Sequence, residues 1–221
     1  MTETSPKLEW TNGVPVAQAF DDPYYSLADG VNETQHVFLA GNDLPQRFRP
    51  DFHIAELGFG TGLNCLVALS AWRSAKIGGR LHFTSFERYP MPLKDMKVAH
   101  AGFTGMPFLA EPILAQLENG WQAVTDDLTL NVIIGDARET LPDWAGKADA
   151  WFLDGFSPAK NPELWEPMLM SQVARHTHDG GMFATYTAAG AVRRALSDAG
   201  FEVERVPGFG HKRHMTKGRL A

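Results

Sequence analysis

The chain has 221 residues, 44% apolar and 21% charged, with a formal net charge of −6, enough for one sizeable core with an appendage rather than two full domains. No apolar run approaches the roughly 20 residues of a membrane span, and MTETSPKLEW lacks the basic start and apolar stretch of a leader, so the expected location is the cytoplasm. A single cysteine, Cys65, excludes an internal disulfide and a thiol-rich zinc site, and reads as a small apolar packing residue.

Residues 1–50 show no regular alternation of strands and helices. They contain FDDPYYS (20–26) and HVFLAGNDL (36–44), with turn signals at Asp22-Pro23 and Gly41-Asn42, and read as an N-terminal extension packed over the binding edge of a domain spanning 51–221. His53 to Leu57 predicts a short buried strand. Leu63, Leu66, Val67, Ser70 and Ala71 then follow the spacing of a helix face that covers a sheet. Strands are expected at Leu81 to Glu87, Thr129 to Ile134 and Ala148 to Leu153, with two short helices between Met91 and Asp127. Met182 to Thr187 predicts a further strand before a helix with Val192, Ala195, Leu196 and Ala199 on one face and Gly200 as its stop. Phe201 to Val206 and His211 to Leu220 complete a mostly parallel, seven-stranded, Rossmann-like α/β sheet with helices on both faces.

The first strand runs into IAELGFGTG, residues 54–62, where such a sheet receives a nucleoside cofactor. Gly58, Gly60 and Gly62 are spaced G-x-G-x-G, whereas the dinucleotide fingerprint is G-x-G-x-x-G, with glycines that admit a pyrophosphate. A cofactor without phosphates fits better, and S-adenosylmethionine is the commonest; a plain tight turn is the alternative. Ligands of such a sheet sit at the carboxyl ends of its strands, so Glu56, Glu87, Asp136 and Asp154 should converge there. Glu87, 25 residues after Gly62, is placed to accept from ribose hydroxyls, and Asp136 could accept from an adenine amino group. Each acid could instead simply cap the helix that follows it.

Asp154 opens DGFSPAKNP, a loop stiffened by Pro158 and Pro162. A methyl sulfonium needs a nucleophile held in line, and an amine nucleophile needs its N–H bonds directed away from its lone pair. Asp154 can accept one of them, and acidic surroundings suit an amine that becomes cationic. General base action by Asp154 is compatible with this but not required. Phe156 and Trp165 could stack on a base or pack against the protein. At the other end, Arg205 to Ala221 holds five Lys or Arg, two His and no acid, leaving 15 basic against 26 acidic residues in the rest. That tail is either an RNA-phosphate contact or a solvated strand.

FDDPYYS, VFLAGNDL, ELGFGTGLN, WFLDGFSPAKNPELW, TAAGAVRRAL and GFGHKRHM occur in an order and spacing that resembles the methyltransferase part of the bacterial tRNA 5-methylaminomethyl-2-thiouridine biosynthesis proteins, the MnmC type, over nearly the whole chain. The resemblance implies a class I methyltransferase fold, S-adenosylmethionine as cofactor, no metal, and methylation of the aminomethyl amine on the wobble uridine of tRNA. It places cofactor binding on Glu56, Gly58, Phe59, Gly60, Gly62, Glu87, Asp136, Ala137 and Asp154, and catalysis on Asp154. Substrate contacts fall on Tyr25, Phe156, Lys160, Arg193, Lys212 and Arg213, with Glu33 and Asn42 nearby. The partner implied is the anticodon arm of tRNA, met by the basic tail with Lys160, Arg193 and Arg194 as the uridine flips toward Asp154. The last family motif usually reads GFGRKREM, so His211 and His214 replace a base and an acid here. Many members are fused to a flavin-dependent oxidase absent from this sequence, so the chain is read as a stand-alone transferase or a piece of a longer protein. Other readings of the residues are a small-molecule amine methyltransferase or aminopropyltransferase, a nicotinamide-dependent dehydrogenase, and a catalytically silent RNA-binding module.

Overall fold

A computed structural model describes residues 5–26 and 29–221; residues 1–4 and 27–28, within the expected N-terminal extension, lie outside the described residues. The chain starts with strands β1 (Leu8–Thr11), β2 (Val14–Ala17) and β3 (Asp22–Pro23), which pair antiparallel in a small sheet of their own. Helix α1 (Gly30–Thr34) follows, capped by the Asp29 side chain, which accepts from Asn32 N at 3.0 Å. It continues through a wide turn, Gln35–Leu39, and a tight one, Ala40–Asn42.

From β4 (His53–Leu57) onward, strands and helices alternate: α2 (Leu63–Ala75), β5 (Leu81–Glu87), α3 (Leu93–Ala101), α4 (Met106–Leu117), β6 (Gln122–Val124), β7 (Leu128–Ile134), α5 (Ala137–Thr140), β8 (Ala148–Leu153), α6 (Pro167–Arg175), β9 (Thr177–Thr185), α7 (Gly190–Asp198), β10 (Phe201–Pro207) and β11 (His214–Leu220). They build one sheet in the order β10-β11-β9-β8-β4-β5-β7-β6. Neighbours from β9 through β8, β4 and β5 to β7 are parallel, and β11 and β6 run against their neighbours.

Side chains of the central strands alternate between two cores. Ile54, Ala150 and Phe152 join α2, α4 and the segment around Phe38 on one face, while Ala55, Leu57, Trp151 and Leu153 join α6 and α7 on the other. Both faces of β4 and β8 are therefore covered, which explains why apolar residues sit on both faces, as in Ile54-Ala55 and Ala150 to Leu153.

The sheet has eight strands, not the seven expected. The addition is β6, only three residues long, and too short to leave a period-2 signal. Its outer edge is closed by the Gln116 side chain, which donates to Val124 O at 3.1 Å and accepts from Val124 N at 2.9 Å, so an edge that would invite another strand is satisfied internally. Strand β9 starts at Thr177, earlier than expected, with a register shift against β8 between Ala148 and Ala150. Strand β11 starts at His214 because Gly208 to Arg213 form the turn back from β10, closed by Gly208 N to Arg213 O at 3.2 Å. Among the described residues no helix is long and apolar enough to cross a membrane.

Candidate active site

The carboxyl ends of β4, β5, β7 and β8 open into a cavity of about 920 Å³. Its floor is the loop between β4 and α2. Gly58 and Gly60 take φ of +87° and +54°, a region costly for side-chain-bearing residues, and a Cβ on Gly58 would overlap the Asp154 carbonyl oxygen. A Cβ on Gly60 would lie 2.9 Å from the Tyr24 ring, closer than ordinary contact. The glycines thus let the loop lie against the start of the Asp154 loop on one side and let the Tyr24 ring pack directly on it at Gly60 on the other. His100 of α3 ties the loop down from below, its Nε2 lying 2.8 Å from Thr61 O. The carbonyl can only accept, so this nitrogen carries the proton.

The strand-end acids have different environments. Glu87 closes β5 and accepts from Gly60 N at 3.0 Å and Tyr89 N at 2.7 Å, through different oxygens, with the Phe59 and Arg88 backbone N–H groups also directed at it. Burial pushes its carboxyl above the usual range, opposed by those backbone N–H groups. Asp136 caps α5 through Arg138 N and is gripped by the Arg138 guanidinium at 2.7 Å and by Arg88 at 2.8 Å. Arg138 foremost holds it below the usual range. The capping alternative for Asp136 is thus realised, although the residue also borders the cavity.

Asp154 follows β8, anchored by its own N–H to Leu57 O at 3.1 Å. Burial pushes its carboxyl up to about 7; the Asn64 hydrogen bond and Lys212 oppose the rise, and the neighbouring Glu33 and Asp22 add to it. Six carboxylates border the cavity, Asp22, Glu33, Glu87, Asp136, Asp154 and Glu163, against the cationic side chains of Arg88 and Lys212. Such a wall favours cations, both a sulfonium and an amine that gains positive charge.

The roof comes from distant parts of the chain. Phe20 stacks on Phe156 with centroids 4.6 Å apart, Tyr24 meets Phe156 edge-on at 5.2 Å, and Asp22 accepts from Ser157 N at 2.8 Å. Lys212, in the β10–β11 turn, reaches Glu33 Oε1 at 2.9 Å, with its ammonium 4.0 Å above the Tyr186 ring. Tyr186 in turn donates to Gly155 O at 2.7 Å.

Of the residues singled out in the sequence, Tyr25, Glu33, Gly58, Phe59, Gly60, Glu87, Asp136, Ala137, Asp154, Phe156 and Lys212 border the cavity. Glu56 does not reach it: fully buried behind the wall, it accepts from Asn64 at 2.9 Å and Ser85 at 2.7 Å, because the alternation of β4 turns it into the core beneath α2. Gly62 starts α2 under the Phe59 ring. Asn42 is buried, donating to Phe38 O and Trp151 O. Lys160 is bound to the Asp21 carbonyl and carboxylate, and Arg193 and Arg213 lie off the cavity. Trp165 is buried, its indole donating to Phe156 O at 2.9 Å, so it packs against its own loop.

The basic tail is also not one patch. Lys217 and Arg219 lie 3.5 and 3.9 Å from Asp43, and Lys212 is paired with Glu33, while Arg205 and Arg213 are exposed at the β10–β11 hairpin with no acid paired to them among the described residues. Sequence reasoning missed Asn64, Tyr24, Phe20, Asp22 and Tyr186 as part of the site. The clue for Phe20, Asp22, Tyr24 and Asn64 was membership of FDDPYYS and ELGFGTGLN, where Asn64 is a polar residue in the apolar first turns of α2, while Tyr186 lies in neither motif.

A family model described as S-adenosyl-L-methionine-dependent methyltransferase matches residues 108–221, more than half of the chain. The chain belongs to this family. The tRNA 5-methylaminomethyl-2-thiouridine biosynthesis bifunctional protein MnmC of Stutzerimonas stutzeri is 46% identical, aligned with 97% of this chain and 34% of its own length. The protein of the same name from Chromobacterium violaceum is 44% identical, over 100% of this chain and 35% of its own. The methyltransferase chain thus spans about a third of the length of these curated relatives. Among solved structures, MNMC2 from Aquifex aeolicus matches with a TM-score of 0.81 at 27% identity, covering 99% of this chain and 72% of that one. Spermidine synthase from Thermotoga maritima shares the fold, with a TM-score of 0.56 at 11% identity over 98% of this chain and 69% of its own. The residues present suit the family's cofactor: a glycine loop and the Glu87 carboxylate at the end of β5 border a cavity of about 920 Å³ with an acid-rich wall that favours a sulfonium.

Proposed function

We propose that this methyltransferase methylates the aminomethyl amine on the wobble uridine of tRNA, converting 5-aminomethyl-2-thiouridine to 5-methylaminomethyl-2-thiouridine. The observation that carries the reading is Asp154, a carboxylate held near neutral acidity on the wall of an acidic cavity, beside the glycine loop. When bound, S-adenosylmethionine supplies a methyl group on positively charged sulfur. Gly58, Phe59 and Gly60 would form its seat, Glu87 would face its ribose hydroxyls, and Asp136 with Ala137 would border the adenine. Glu56 and Gly62 act from behind, by fixing Asn64 and the start of α2.

Asp154 accepts an N–H of the incoming amine, which directs the nitrogen lone pair toward the methyl carbon. Methyl transfer from the bound cofactor would leave positive charge on that nitrogen. The acidic wall stabilises it there, and its proton then leaves to Asp154 or to water. An acid with a pKa of about 7 is suited to taking that proton at neutral pH.

The tRNA is held from outside the cavity. Arg205, Arg213 and Arg194 are exposed and meet the phosphates of the anticodon arm, with His211 on the rim. Tyr25 and the Phe156 cluster line the route of the flipped uridine. Lys160 and Arg193, bonded or packed away from the cavity, fit peripheral phosphate contacts only. The relatives' bifunctional names and threefold greater length fit a flavin-dependent oxidase, fused or separate, that supplies the aminomethyl precursor in the cytoplasm.

Incubation with labelled S-adenosylmethionine and hypomodified tRNA is expected to place label in the wobble nucleoside, with tRNA affinity falling steeply as salt rises. No incorporation, under conditions where the cofactor demonstrably binds, refutes the reaction. Label transfer to small amines alone, with no salt-dependent tRNA binding, assigns the fold to a small-molecule enzyme instead.

A further inference from the structure

At the centre of the site one amide nitrogen serves two carboxylates. Asn64, 7% exposed, donates from Nδ2 to Glu56 Oε1 at 2.9 Å and to Asp154 Oδ2 at 2.7 Å. Its Oδ1 accepts from the Thr34 hydroxyl at 2.7 Å. In this orientation an ionised carboxylate, which only accepts, faces the amide donors, and the Thr34 hydroxyl, which can donate, faces the amide oxygen. Three segments are thereby locked to one side chain: β4 through Glu56, the end of β8 through Asp154, and α1 through Thr34. Glu56 is held from its other side by the Ser85 hydroxyl at 2.7 Å, so the amide cannot turn without breaking bonds on both flanks. Asp154 Oδ1 makes no hydrogen bond within the described protein.

We infer that Asn64 is the positioning residue for the methyl-accepting amine, fixing Asp154 through Oδ2 so that the charged carboxylate offers its remaining oxygen to the substrate nitrogen. This rests on the reading that Asp154 receives the amine. The physical argument is the balance of charges around that carboxylate. Glu56 faces it from β4, Glu33 from α1, Asp22 from β3 and Tyr186 from the segment after β9; Glu33 and Asp22 oppose its ionised form, whereas burial, with Asp154 adding to it, holds Glu56 itself well above the usual carboxylate range. Lys212 favours ionisation from the hairpin turn but is already committed to Glu33. The Asn64 N–H is the largest influence that favours the carboxylate, so its removal strands a half-buried acid among like charges.

The test uses the full chain with Asn64→Ala, Thr34→Val and Asp154→Asn. Two quantities are read: the pH profile of single-turnover methyl transfer, and the titration of the Asp154 carboxyl carbon by NMR, identified as the signal missing in D154N. Asn64→Ala is expected to move both the acid limb of the profile and the carboxyl titration upward by about one pH unit, a roughly tenfold loss below neutrality that recovers in alkali. Thr34→Val, which frees the amide to swing, shifts both in the same direction by less. Cofactor affinity stays within about twofold, since the bond lost is a single side-chain contact away from the glycine loop. A uniform loss of rate at every pH with the carboxyl titration unmoved overturns the proposal and leaves Asn64 a packing residue. Should Asn64→Ala fail to fold, an unshifted titration in Thr34→Val overturns it equally. If D154N keeps the wild-type rate and profile, the role of Asp154 itself fails; a shifted carboxyl titration in Asn64→Ala would then locate the error in that reading and not in the Asn64 contact.

Discussion

Gly58→Ala is expected to cripple methyl transfer without touching a functional side chain. Two costs combine. The backbone φ of +87° is costly for alanine by about 1–2 kcal/mol, and the new methyl group would overlap the Asp154 carbonyl oxygen, with Gly155 Cα 3.7 Å from the same point. Neither neighbour is the tip of a flexible side chain, so the ends of β4 and β8 must part by roughly 1 Å to reach ordinary contact distance. The bonds at stake are Asp154 N to Leu57 O at 3.1 Å and Gly58 N to Phe86 O at 2.9 Å, and weakening one adds about 1 kcal/mol. The sum, about 2–4 kcal/mol, corresponds to a fall in Tm of roughly 5–15 °C for a chain of this size. A displacement of that size at a reacting group costs on the order of 100-fold in rate. Gly13→Ala is the control, since its φ is +81° but nothing lies within 4 Å, so it bears the conformational cost alone. Circular-dichroism melts and single-turnover methyl transfer at saturating cofactor decide the matter. If Gly58→Ala melts no lower than Gly13→Ala and transfers methyl within about threefold of wild type, the close approach of the two strand ends is not what the site needs.

Three further expectations follow from contacts elsewhere. Burial lifts Asp154 from its ordinary 3.8 to about 7, so the native state keeps a proton that the unfolded chain has already released; this stabilisation is present below about pH 4 and lost as pH rises through 7. Asp154→Asn should therefore melt higher than wild type at pH 8 and lose that advantage by pH 4, a stability gain at the expense of activity, and an advantage equal at both pH values contradicts the assignment. Arg213→Ala should weaken tRNA binding and lower its salt slope by about 1, whereas Lys217→Ala, whose ammonium is paired with Asp43, should leave the slope unchanged; filter binding at several salt concentrations separates them, and equal slopes count against the hairpin as the phosphate contact. His100→Leu strips the Thr61 carbonyl of its donor beneath the glycine loop and is expected to weaken S-adenosylmethionine binding about 3- to 10-fold by calorimetry; an unaltered affinity means the loop holds its shape without that bond.

What could be read from the residues alone was whatever one segment encodes by itself. β4 and β8 announce themselves as mainly apolar segments because both faces are covered, and Glu87, Asp136 and Asp154 stand out because a strand that stops at an acid is a local pattern. What stayed hidden depends on partners brought in by the fold. Lys217 looks like part of an RNA-binding tail until Asp43, 174 positions away, is found 3.5 Å from it, and Phe156 looks available to a base until Phe20 is found stacked on it. Glu56 reads as a ligand by position in its motif, yet period-2 alternation in a strand covered on both sides sends it inward, and only the place of α2 reveals that Asn64 carries its influence to the cavity. The ionisation of Asp154 is the extreme case. Its neighbours Asp22, Glu33, Asn64 and Lys212 come from four separate stretches of chain, so no window of sequence around DGFSPAKNP contains the information that sets its charge. Residue type was legible because it is local. Protonation state was not, because it is a sum over contacts whose members only the folded sheet and its roof bring together.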